Sequence, residues 1–258
     1  MGEGIGLEKL NLRTPKSFNY TDDTGTVKPR IRFYCVSEGA TEETYFWGIR
    51  NNKVELNIKN DVHIEVIEKQ EGQETLSHPM QLVNACLLQM GRIDSDGNDI
   101  PQDKWEENCK WECFDSEIDQ VCVIFDRDYR NLEKSVGKIF ELCDKHGIKV
   151  VISNPNFELW LLMHFPNIKQ YAPEMLLQNK KNLRHQLFED ASVNKKYLEI
   201  LVSKNADGYS KGSKLEFERF FPLIETAIEQ AKIYCEEPRK LVNELGTSVG
   251  KLIEEMRL

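Results

Sequence analysis

Four short apolar runs, each closed by polar or acidic residues and most followed by a helical pattern, constrain this chain more than any other feature. They are about Arg30 to Ser37, Val62 to Ile67, Gln120 to Phe125 and Lys149 to Ser153. Runs of this length that are rich in Val, Ile and Phe read as strands, and strands alternating with helices read as an α/β unit. The helices are expected near Thr41 to Ile49, at 79–90 with Pro79 in the first turn, near Leu132 to His146 with Gly147 closing it, and from Asn154-Pro155 onward. The order predicts a parallel or mostly parallel sheet with right-handed crossovers. The fold class is therefore α/β, with helices flanking the sheet.

The remaining segments set the domain plan. Residues 1–29 are polar, scattered with Gly, Thr, Asp and Pro, and read as a flexible N-terminal arm ending at Lys28-Pro29. Residues 30–170 form the α/β core, interrupted by a charged insert over about 91–117. Residues 171–258 show helical periodicity and no convincing strand. Within the insert, Asp94 to Asp99 partly matches a calcium loop, but the spacing and the closing Glu fail, so a solvated loop is the better reading. Trp105 and Trp111 are candidates for stacking on bases, with loop packing as the plainer expectation.

The 258 residues are 30% charged, with a net charge of -9, and mean hydropathy is -0.52. No apolar run approaches the ~18 residues of a membrane span. The start, Met1-Gly2-Glu3-Gly4-Ile5-Gly6, lacks the basic and apolar stretches of a signal peptide, and Gly6 stands where a myristoylation signal wants Ser or Thr. The seven cysteines read as small buried hydrophobes in a reducing cytoplasm. Cys109 and Cys113 lack a second Cys/His pair at zinc spacing. The negative charge argues against indiscriminate coating of nucleic acid but not against an enzyme with a local basic patch.

Three acidic elements follow the apolar runs. Glu38 follows the first run, Asp126 and Asp128 follow the third, and Glu158 follows the fourth within Asn154-Pro155-Asn156-Phe157-Glu158. Ligands of open α/β sheets bind outside the carboxyl ends of the strands. If these strands are parallel neighbours, their carboxylates converge on one rim, where hard oxygen donors suit Mg2+ or Mn2+ and, through it, phosphate. In extended backbone Asp126 and Asp128 point to the same side. The plainer readings are a loop acid for Glu38, a charged turn balanced by Arg127 for the Asp pair, and a helix N-terminal acid for Glu158. Glu158 is the hardest to leave at that, because it begins a helix apolar nearly all round, where an unpaired carboxylate is costly. Asn154 lies one turn before Glu158, and Asn156 reads as a cap or a substrate contact. His164 reads as a satisfied core histidine. Ser37 reads as a turn residue, and Thr41 as a cap for a helix begun by Glu42-Glu43. Lys211, in Gly208-Tyr209-Ser210-Lys211, reads as a phosphate contact or a solvated loop lysine.

The segments Tyr34 to Phe46, Val123 to Asp128 and Ser153 to Phe165 closely resemble the RloB-like (AbiLii-like) abortive-infection proteins, with Tyr209-Ser210-Lys211 as a weaker later block. That family occurs in bacterial defence loci, often with restriction-modification genes or a companion ATPase. It is in turn similar to the Toprim fold of topoisomerases, primases and OLD-type nucleases. The resemblance implies Mg2+ or Mn2+ ligated by Asp126 and Asp128, with Glu38 as a further ligand or general acid/base and Glu158 as an additional acidic ligand. It implies a metal-dependent nuclease acting on RNA or DNA in antiphage defence, with Asn154, Asn156 and Lys211 contacting substrate. The rival readings are a non-catalytic partner subunit of a defence ATPase and a nucleotidyl transferase. The sequence leaves homo-oligomerisation open.

Overall fold

The computed structural model describes residues 9–14, 31–112, 114–127, 132–209 and 211–258. Its centre is a five-stranded sheet in the order β2-β1-β3-β4-β5, made of β1 (Ile31–Ser37), β2 (Val62–Ile67), β3 (Gln120–Asp126), β4 (Ile148–Asn154) and β5 (Gly246–Thr247). The first four strands are parallel, as the alternation with helices requires. β1 sits between β2 and β3 because α1 (Ala40–Asn51) and α2 (Pro79–Gln89) carry the chain out and back in consecutive crossovers. The register pairs Ser37 with Ile124 and Asp126 with Ser153, so β1, β3 and β4 end along one rim.

Helices cover both faces. One apolar layer joins Phe33, Cys35, Tyr45, Phe46 and Trp160 to Leu201, Ile228 and Met256. The other joins Tyr34, Val36, Val123 and Phe125 to Leu82, Cys86, Ile139 and Leu241. Alternate residues of β1 and β3 thus feed opposite layers, and a sheet buried on both faces needs the near-continuous apolar strands seen in the sequence. α4 (Val136–His146) closes at Gly147 as expected. The helical C-terminal region comprises α6 (Pro173–Gln178), α7 (Tyr197–Asn205), α8 (Ile224–Ala231), α9 (Pro238–Leu241) and α10 (Val249–Arg257). No helix among the described residues is long and apolar enough to cross a membrane.

Four expectations change. First, residues 9–14 of the expected arm are packed. Leu10 and Leu12 are buried, and the Arg13 and Gln70 amides donate to Glu68 and Asn11 carbonyls, extending the edge beyond β2. Second, the fourth helix, α5 (Glu158–Leu162), begins four residues after Asn154. The turn before it is used to tie β4 to β3, because the Phe157 amide donates to Asp126. Third, the C-terminal region does hold a strand: β5 pairs antiparallel with the end of β4. Two residues carry no periodicity, so only tertiary pairing reveals them. Fourth, α1 starts at Ala40 with Gly39 as its cap, and the Thr41 hydroxyl instead accepts the Gly212 amide.

Within the insert the two tryptophans pack. Trp111 is 1% exposed and stacks on Tyr34 with ring centroids 4.7 Å apart. Trp105 donates its indole N–H to the Ile100 carbonyl, in α3 (Trp105–Asn108).

Candidate functional site

β1 and β3 deliver Glu38 and Asp126 to the same rim. The Glu38 amide donates to the Ile124 carbonyl at 2.8 Å, continuing the ladder one residue past β1. The Asp126 amide donates back to Glu38 Oε2 at 2.9 Å, and Asp126 Oδ1 accepts the Phe157 amide at 2.8 Å. One oxygen of each carboxylate is therefore oriented by main-chain N–H, and both residues remain partly exposed. Arg127 turns away from them. Its amide donates to the Ser153 carbonyl, and its guanidinium bonds the Val242 carbonyl and Glu133. Asp128 lies outside the described residues.

A second acidic group lies beside the first. Glu158 is only 2% exposed, at the start of α5. Its charge is met from the C-terminal region: Tyr209 donates to Oε1 at 3.0 Å, and Lys211 Nζ lies 2.7 Å from the same atom. Lys211 also pairs with Glu199 at 2.6 Å. These contacts hold Lys211 well above the ordinary lysine range, outweighing its partial desolvation. Lys211 is thus an ion-paired lysine whose side chain is still 47% exposed.

Glu42 completes the cluster, and sequence reasoning treated it only as a helix N-terminal acid. It is buried on the first turn of α1, and its Oε2 would lie 2.8 Å from a Cβ placed on Gly39, so the glycine makes room for the carboxylate. Burial, reinforced by the charge of Glu158, pushes Glu42 up to about 7, against the pull of its own amide, Lys211 and Lys69. Lys69 follows β2 and was also overlooked. Its ammonium donates to the Glu38 carbonyl, and burial pulls it below its ordinary value despite Glu38, Glu43, Glu42 and Glu74. The available signals were Gly39 before an acidic helix start and a lysine just past an apolar strand.

The two asparagines do different work. Asn154 donates to the Leu241 and Glu244 carbonyls at 2.8 and 2.9 Å, which fastens the segment leading to β5. Asn156 is buried, and its Oδ1 has no hydrogen-bond partner. His164 is a core histidine, as expected: Tyr45 Oη and the Trp160 carbonyl each lie 3.0 Å from a ring nitrogen, and burial pulls it down to about 3. Among the described residues, no three His, Cys, Asp or Glu side chains form a metal-binding group. Glu38, Asp126 and Glu158 therefore share a rim without converging on one point.

The molecule is thus an α/β protein whose central parallel strands end in carboxylates set by main-chain hydrogen bonds, with a lysine-neutralised acid beside them. A family model described as RloB-like protein matches residues 33–256, and the chain belongs to that family. No curated protein and no solved structure matches it.

Proposed function

We propose that the chain is a divalent-metal-dependent nuclease with a Toprim-like core, hydrolysing phosphodiesters of RNA or DNA in bacterial antiphage defence. The observation that carries this reading is the Asp126 amide bonded to the Glu38 carboxylate across the ends of adjacent parallel strands. Magnesium keeps several waters and is commonly held by only one or two protein carboxylates plus substrate phosphate. Glu38 and Asp126 meet that need as oxygen donors on a partly exposed rim, and Asp128 is a further donor on the sequence pattern. Bound there, the cation would neutralise phosphate charge and activate a water.

The chain's own groups supply the rest. Main-chain N–H bonds hold Glu38 and Asp126 in place before substrate arrives, which limits reorganisation. Glu158 is neutralised by Lys211 and Tyr209, so it acts as the anchor of Lys211 rather than as a metal ligand. Lys69 places positive charge beside the rim of an acidic protein, where a phosphate backbone needs it, while Lys211 is paired with Glu158 and Glu199. Glu42, titrating near neutrality, can hold a proton for a leaving oxygen.

The test is incubation with total RNA and with plasmid DNA, plus magnesium or manganese, followed by mapping of the ends. Cleavage of one substrate is expected, reduced at least ~100-fold in Asp126→Asn. Asparagine keeps an oxygen to accept the Phe157 amide, so this variant should fold. Failure to cut either substrate would favour the non-catalytic partner subunit, and a product longer or heavier than its substrate would favour nucleotidyl transfer.

A further inference from the structure

At the opposite end of the sheet the fold buries an arginine and gives it no counter-charge. α2 ends at Gln89 with Met90 as its cap, and Gly91 turns the chain with φ at 69°. A Cβ at Gly91 would lie 2.6 Å from backbone atoms of Trp105 and Asn108, so only glycine lets α3 close onto this turn. The closure sets the guanidinium of Arg92 over the Trp105 ring, 3.8 Å from its centroid. Arg92 is 4% exposed, its Nε has no hydrogen-bond partner, and among the described residues no carboxylate pairs with it. Asp119, at this end of β3, is committed to Arg32. His146, the last residue of α4, is 9% exposed, and both of its ring nitrogens lack partners.

Arg92, Trp105 and His146 line one cavity of about 570 Å³, with Met90 and Phe114 among its apolar walls. That volume lies within the usual range of small-molecule sites, roughly 300–1,000 Å³. Val121 also lines it, while Asp126 lies at the far end of β3. At ~3.3 Å per residue the two positions are about 17 Å apart, so the cavity is separate from the acidic rim.

A buried, unpaired guanidinium is costly, and buried imidazole nitrogens without partners add to that cost. Burial keeps His146 below its ordinary value, so the ring is neutral and offers one donor and one acceptor. We propose that this cavity binds a small oxyanion, with the Arg92 guanidinium and the His146 imidazole as its donors and Trp105 holding Arg92 in position. Asp103, Glu106 and Glu117 are exposed members of the same lining. Their charge favours a small anion over a polyphosphate. The inference is independent of the nuclease reading.

The test is calorimetric titration of the full chain at pH 7 in metal-free buffer, with sodium phosphate in one arm and sodium benzoate in the other. At least one anion should give a saturable single-site isotherm with Kd of about 1 mM or tighter. Binding should weaken at least ~10-fold in Arg92→Gln, which removes the positive charge, and in His146→Phe, which removes the ring donor. The arm that binds tells phosphate from carboxylate chemistry. No saturable heat from either anion up to about 10 mM overturns the proposal. So does unchanged affinity in Arg92→Gln that still melts cooperatively. If Arg92→Gln does not fold, His146→Phe decides, and wild-type affinity there overturns it.

Discussion

The acids of the rim differ in what balances their charge. Asp126 and Glu38 are held by main-chain N–H groups, Glu158 by Lys211 and Tyr209, and Glu42 mainly by retaining its proton. The last case has a consequence for stability. The folded protein binds the Glu42 proton more tightly than the unfolded chain, because its value rises from 4.5 to about 7 on folding. Stability from this group is therefore complete below pH 4.5 and is lost as pH rises toward 7. Glu42→Gln should flatten that part of the stability curve, matching wild type at low pH and exceeding it near neutrality. Urea midpoints across this range, compared between the two proteins, check it. Parallel curves would mean that Glu42 is ionised in the folded protein at all of these pH values.

α5 links the rim to the core. Phe157, its cap, packs edge-on against Tyr45 with centroids 5.4 Å apart, while its amide fixes Asp126. Phe157→Ala should cost roughly 3–5 kcal/mol through lost burial and a cavity, read as a lower denaturation midpoint. A cost below about 1 kcal/mol would mean that the neighbouring rings close the gap. The strands of this region were legible because Val121 to Phe125 and Val150 to Ile152 are apolar on both faces, as a covered parallel sheet demands. Asp126 and Glu38 were legible because each lies at the end of such a run. β5 was not, since its two residues have meaning only against β4. Glu42 does stand in the first turn of α1, as expected, but its place in the cluster was not legible, because its electrostatic partners, Glu158, Lys211 and Lys69, all lie far along the chain. Leu10 and Leu12 did carry the alternation of an edge segment, hidden by their polar surroundings.

At the scale of the whole molecule, the C-terminal region is part of the core and of the rim. Leu201, Ile228, Val249, Leu252 and Met256 share one apolar layer with Phe33 and Tyr45, and Leu241 belongs to the layer on the other face. Lys211 and Tyr209 neutralise Glu158, the Gly212 amide bonds Thr41, and Ser248 bonds the backbone of Ile152 in β4. Apolar layers and polar contacts thus both run across residue 170, where sequence composition marks a change. Burial of this extent couples segments into one cooperative unit. The full chain should therefore unfold in a single transition, with coincident midpoints by far-ultraviolet circular dichroism and tryptophan fluorescence. The fragment 1–170 should lack that transition and expose apolar surface, because it removes much of the first layer and Leu241 from the second and leaves Glu158 buried without its cation. Separated midpoints in the full chain, or a fragment that melts cooperatively, would instead establish the α/β core as an independent domain onto which the helical region is docked.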